Sequence, residues 1–100
     1  MDSYRAAVQL NPADELSHYK LGLELAVANE PDAARKELGE AARLNPDSVR
    51  AHFNYGALLI EQNHWDEAQR EFETVLRLEP GNVRAQECLS RVRAKKERAP

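Results

Sequence analysis

The sequence predicts an all-α stack of antiparallel helix pairs, about six helices in all, and three observations carry that expectation. The endings Leu10-Asn11-Pro12, Leu44-Asn45-Pro46 and Leu78-Glu79-Pro80 set a proline at every thirty-fourth residue. Superposing 15–48 on 49–82 brings ten identities into register, among them His18 with His52, Gly22 with Gly56, Asn29 with Asn63, and Glu37 with Glu71. Unrelated segments of ordinary composition would share roughly two, so the chain is built from a repeated unit. Residue choice is helical throughout: Ala, Leu, Glu, Arg and Gln dominate, and neither unit holds a β-branched alternating run.

Taken in order, residues 2–12 reproduce the second half of a unit through Tyr4, Ala7 and Pro12, so the chain is expected to begin in mid-repeat with a lone second helix. Asp14, Ser48 and Asn82 each follow a proline by two residues. All three are good N-caps, because their side-chain oxygens accept from the orphan N–H groups of a first turn. The first helix of each unit therefore starts there. Asn29 and Asn63 fall where that helix would close in a left-handed residue. Pro31 opens the next helix, where its missing N–H is harmless and its fixed φ suits the first turn. The prolines at 12, 46 and 80 end the second helices. Residues 83–98 start a third unit, with Ala85, Leu89 and Val92 facing the preceding hairpin. On the other face Gln86, Ser90 and Arg93 replace packing residues, as a solvated cap requires. The expected organisation is one domain over 1–100: a partial unit at 2–12, repeats at 15–48 and 49–82, and a capping helix at 83–98.

Composition narrows the function classes. With 100 residues, 42% hydrophobic side chains and a net charge of −3, the chain reads as one folded domain rather than a disordered one. Cys88 is the only cysteine, so no intrachain disulfide and no zinc-binding cysteine pair is expected. No apolar run approaches the ~18 residues of a membrane span, and MDSYRAAVQLNP lacks the basic and apolar regions of a signal peptide. A cytoplasmic location is expected. Residues 83–100 carry six Lys or Arg against two Glu, which reads as a solvated cap, and no nucleic-acid partner is expected. Neither HExxH, a phosphate loop nor GxSxG is present, so no enzyme activity, metal or cofactor is expected. His18 and His52 are read as interior packing residues, and His64 as a surface residue of a turn.

The spacing of the large and small residues carries a family likeness. A 34-residue pattern of W-x2-L-G-x2-Y, then A-x3-F, then P is met by His18, Leu21, Gly22, Leu25, Ala34, Leu38, Ala41 and Pro46. It is met again by His52, Tyr55, Gly56, Leu59, Ala68, Phe72, Val75 and Pro80. In this respect the chain resembles the tetratricopeptide repeat family, with His for the usual bulky first residue and Leu (Leu25, Leu59) for the tyrosine in both units. The resemblance implies a right-handed solenoid whose work is non-covalent recognition of a protein or peptide partner, with Tyr55, Trp65 and Phe72 in the core.

It also implies a concave wall lined by the first helices. On that map the peptide-binding candidates are Leu16, Tyr19, Leu23, Val27, Arg50, Phe53, Asn54, Ala57, Ile60, Arg84 and Arg91. The expected picture is an apolar trough bordered by Arg50, Arg84 and Arg91, with Tyr19 and Phe53 as anchors and Asn54 bonding a ligand backbone. A subgroup that grips the terminal carboxylate of chaperone tails is matched only by Asn54 and Arg84. Tyr19, Leu23 and Cys88 replace the other clamp residues. Binding of acidic C-terminal peptides, and a purely structural spacer between other domains, are the alternatives. The exposed helix at 2–11 offers a contact for a second copy, hence a homo-oligomer.

Overall fold

The computed structural model describes residues 2–98, with side chains from Arg5 onward; the side chain of Tyr4 lies outside the described residues. Six helices follow one another: α1 (Asp2–Leu10), α2 (Glu15–Val27), α3 (Pro31–Leu44), α4 (Val49–Glu61), α5 (Trp65–Leu78) and α6 (Val83–Arg98). No strand occurs among the described residues. α2 pairs with α3 and α4 with α5. Each helix also packs on its neighbour in sequence, and α4 reaches α6. The result is an elongated stack of 43 × 27 × 17 Å.

The punctuation residues act locally as their chemistry dictates. Asp14 accepts from the Leu16 N–H at 3.2 Å, Ser48 Oγ from Ala51 at 3.2 Å and Asn82 Oδ1 from Ala85 at 3.0 Å, so three successive first helices are capped from within. Asn29 and Asn63 both take φ 62°, a conformation Asn tolerates better than other side chains bearing a Cβ. The next residue's N–H then turns back to a carbonyl five residues earlier: Glu30 to Leu25 and His64 to Leu59. Pro31 is the first residue of α3.

Hairpin closeness rests on two glycines. A Cβ on Gly22 would lie 2.7 Å from Leu38 Cγ, and one on Gly56 would lie 2.9 Å from Phe72 Cε2. Those partner residues are the bulk of the core: Leu38 is 1% exposed and Phe72 is fully buried. One cluster joins Leu21, Leu25, Ala34, Leu38 and Leu58; another joins Leu59, Phe72, Val75, Ala85, Leu89 and Val92. Tyr55 and Trp65 are only half-buried at the cluster edges, Tyr55 where the first hairpin meets the second. Gln86, Ser90 and Arg93 are exposed on α6, while Ala85, Leu89 and Val92 are buried against α5.

The hairpins are tied at their turns. Gln62 Nε2 donates to Asp32 Oδ1 at 2.8 Å, and Arg35 Nη1 donates to His64 Nε2 at 2.8 Å. His64, read as a surface turn residue, is therefore a half-buried joint between repeats. α6 is held by Lys96, which reaches Gln69 Oε1 at 2.6 Å and Asp66 Oδ1 at 2.8 Å. That contact keeps the Asp66 carboxyl below its ordinary range.

Candidate functional site

Arg50 is the second residue of its repeat and Tyr19 the fifth of the repeat before; stacking of the hairpins brings them together. The Arg50 guanidinium carbon lies 4.6 Å from the Tyr19 ring centroid. One repeat later, Arg84 lies 4.9 Å from the centre of Phe53. The same geometry is thus made twice, 34 residues apart. A guanidinium over a ring face is drawn by the ring quadrupole and loses little of its donor capacity. Asn54 binds the pair from the side: its amide donates to the Tyr19 hydroxyl at 3.2 Å and to the Arg50 carbonyl at 2.8 Å.

These residues line an open cavity. Arg50, Phe53, Asn54 and Arg84 share about 500 Å³ with Ser48, Val49, Glu79 and Asn82. Leu23 and Val27 line a second, more apolar hollow of about 440 Å³ with Glu24 and Ala28. Val27 is 89% exposed and Leu16 39%. Ala57 and Ile60 are half-buried on α4, and Ile60 leans on the core cluster around Leu59. Arg91 is exposed on α6 and lines neither hollow.

Three features bear on the expected trough. Arg50 and Arg84 lie on the rings instead of standing as a border, because a long side chain beside an aromatic face gains by covering it. The aromatic anchors are also structural. Phe53 packs edge-on against Phe72 with centroids 5.4 Å apart, and Tyr19 packs against the cluster around Leu21 and Leu38 and against Ala41, Ala42 and Ala51 at the α3–α4 seam. Asn54, expected to bond a ligand backbone, has both amide hydrogens engaged within the protein.

Away from the groove, the sequence reading missed a pair of polar bridges. His18 donates through Nδ1 to Glu37 Oε2 at 2.6 Å and approaches the Pro12 carbonyl through Nε2 at 2.7 Å. His52 repeats this with Glu71 at 2.6 Å and Pro46 at 2.7 Å. The histidines are 6% and 8% exposed. The signal was present: His and Glu both recur between units, always 19 apart. Burial alone would push the His18 pKa down; the bonds to Glu37 and Pro12 and the charges of Glu37 and Glu40 outweigh it and raise it. Among the described residues no group of three or more His, Cys, Asp or Glu is placed to hold a metal ion, and no helix is long and apolar enough to cross a membrane.

A tetratricopeptide repeat family model matches residues 25–92, more than half of the chain. The chain belongs to the tetratricopeptide repeat family. Solved structures with the same fold include the MamA protein, at TM-score 0.90 and 24% identity, covering 96% of this chain and 52% of that one. The chain thus spans about half the length of MamA. The second TPR domain of human RPAP3, in complex with the HSP70 peptide SGPTIEEVD, is 26% identical at TM-score 0.83, covering 92% of this chain and 77% of that one. The Yersinia enterocolitica type III secretion chaperone SycD, in complex with a peptide of the translocator YopD, is 18% identical at TM-score 0.83, covering 93% and 76%. A search of curated protein sequences finds no match. Within this tetratricopeptide repeat chain, the hollow beside α4 and α6 is where the two ring-backed arginines meet open space.

Proposed function

We propose that the chain is a protein-interaction module that holds an extended, acidic segment of a partner protein across the face formed by α2, α4 and α6. The observation that carries this reading is the duplicated arginine-on-ring arrangement beside an open hollow. Each guanidinium keeps its outward N–H groups for a carboxylate, and the ring beneath limits the rotamer entropy lost on binding. The apolar hollow at Leu23 and Val27 takes a neighbouring apolar side chain of the same segment. Support comes from the related folds of RPAP3 and SycD, which are seen with peptides bound. The clamp residues that would hold a chain end are replaced by Tyr19, Leu23 and Cys88. The recognised groups are therefore side-chain carboxylates within the segment.

The peptide SGPTIEEVD, labelled at its N-terminus, is a suitable probe in fluorescence anisotropy. The protein binds it, and replacing its two Glu by Gln weakens binding more than amidating its C-terminus. Charge-assisted hydrogen bonds are worth ~1.5–3 kcal/mol, so the double variant Arg50→Gln/Arg84→Gln loses at least about tenfold in affinity. Both arginines are exposed, so helicity is retained. Equal binding by that variant, or none by the parent protein, ends this reading and leaves the chain a spacer between other domains.

A further inference from the structure

An imidazole has two ring nitrogens, and in its neutral form only one of them carries a hydrogen. At His18 both nitrogens face atoms that can only accept: the Glu37 carboxylate at 2.6 Å and the Pro12 carbonyl at 2.7 Å. Both contacts are hydrogen bonds only when the ring carries both hydrogens and a positive charge. The ring is 6% exposed, so water is a poor substitute for either partner. Three separate pieces of chain meet at this point. Pro12 lies in the connection after α1, His18 in α2 and Glu37 in α3. We propose that His18 is a pH-sensitive tie, joining the α1–α2 connection to the first hairpin while doubly protonated and dropping one of its two partners when it loses a proton.

The surroundings set the direction of the response. From α3, Glu37 and Glu40 face the ring, with Lys36 and Arg43 lining the same small cleft. Arg43 is paired with Glu40, which mutes its repulsion. From the start of α2, the Asp14 carboxylate adds a further negative charge; the α1 side contributes the neutral Pro12 carbonyl. The balance of these groups raises the His18 pKa in spite of burial. A raised value in the folded state means that the tie adds its full stability below the unfolded value of about 6.5 and loses it as pH rises through the folded value. Mildly alkaline solution therefore loosens the seat of α1. His52 has the same two acceptors at the same distances, with Thr74 at the position of Glu40, and serves as an internal comparison.

The test is a titration of the whole chain followed by the imidazole ¹⁵N shifts, with thermal midpoints recorded over the same pH range. His18 shows a midpoint above that of free histidine. The thermal midpoint falls as pH rises from 6 to 8.5. In the Glu37→Gln variant the amide presents a hydrogen to the neutral ring, so the fold survives while the His18 midpoint drops and the thermal slope flattens. A His18 midpoint at or below that of free histidine, a titration unmoved by Glu37→Gln, or a thermal slope unchanged in that variant would each overturn the proposal. The original protein alone decides the first of these, so a variant that failed to fold would still leave the proposal open to refutation.

Discussion

The two complete repeats share a backbone and differ in what they present on it. In both, His and Glu bridge the hairpin, an Asn at φ 62° closes the first helix, and a glycine lets the second helix approach. The first repeat places Leu16, Leu23 and Val27 at candidate groove positions where the second has Arg50, Ala57 and Glu61. The first fills its hairpin with Leu38, the second with Phe72. The asparagine that closes the first helix and the glycine at the closest approach are identical in the two units, while the candidate groove positions diverge. The hollow on α2 is consequently apolar, and the one beside α4 and α6 is lined by arginine and an aromatic ring.

The largest effect that separates the repeats is expected in the core. Phe72→Ala removes a fully buried ring that also braces Phe53, costing about 3–5 kcal/mol. Leu38→Ala removes a smaller side chain, at about 2–5 kcal/mol. Urea unfolding of the two variants should rank them in that order, and the reverse ranking would show that the first hairpin carries more of the stack's stability than its residues suggest. Next comes close approach. Gly22→Ala drives a Cβ to 2.7 Å from Leu38 Cγ; overpacking of this kind costs about 1–3 kcal/mol, more than the ~1 kcal/mol that Ala gains in helix propensity. A net rise in stability would mean that Leu38 can shift aside. Smaller still are Asn29→Ala and Asn63→Ala, each about 1 kcal/mol from left-handed backbone strain. The two should be equal within error by the same unfolding measurement, since the turns are copies.

What the sequence disclosed and what it hid follow from the range of the forces involved. The prolines, the N-cap residues and the two asparagines act on their own few neighbours, so their structural role could be read from position alone. The candidate groove positions came instead from the family resemblance. The placement of Arg50 and Arg84 was not legible in position alone, since it depends on rings contributed by the preceding hairpin. Nor was the double duty of Phe53, whose contact with Phe72 crosses from α4 to α5. His18 at a position normally filled by a large apolar ring looked like bulk, and Glu37 looked like an ordinary surface carboxylate. Only the recurrence of both at one separation betrayed the bridge.

That bridge supplies the smallest and most discriminating prediction. The bridges of the two repeats match in distance but differ in one neighbour, Glu40 against Thr74. Glu40→Thr gives the first repeat the second repeat's residue at that position. It removes a carboxylate that favours charged His18 and frees Arg43, its ion-pair partner, to disfavour that charge. Both changes lower the His18 midpoint, so the stability that His18 adds disappears at a lower pH than in the parent protein. On the acid side the effect is separate. The Glu40 carboxyl is itself held below its ordinary range, mainly by Arg43, and a depressed carboxylate adds stability above its unfolded value that fades as pH falls through the folded one. Glu40→Thr should therefore flatten the acid limb slightly while moving the alkaline limb of the thermal midpoint to lower pH. If only the acid limb moves, Glu40 serves Arg43 alone, and the unequal surroundings of the two histidines have no consequence for stability.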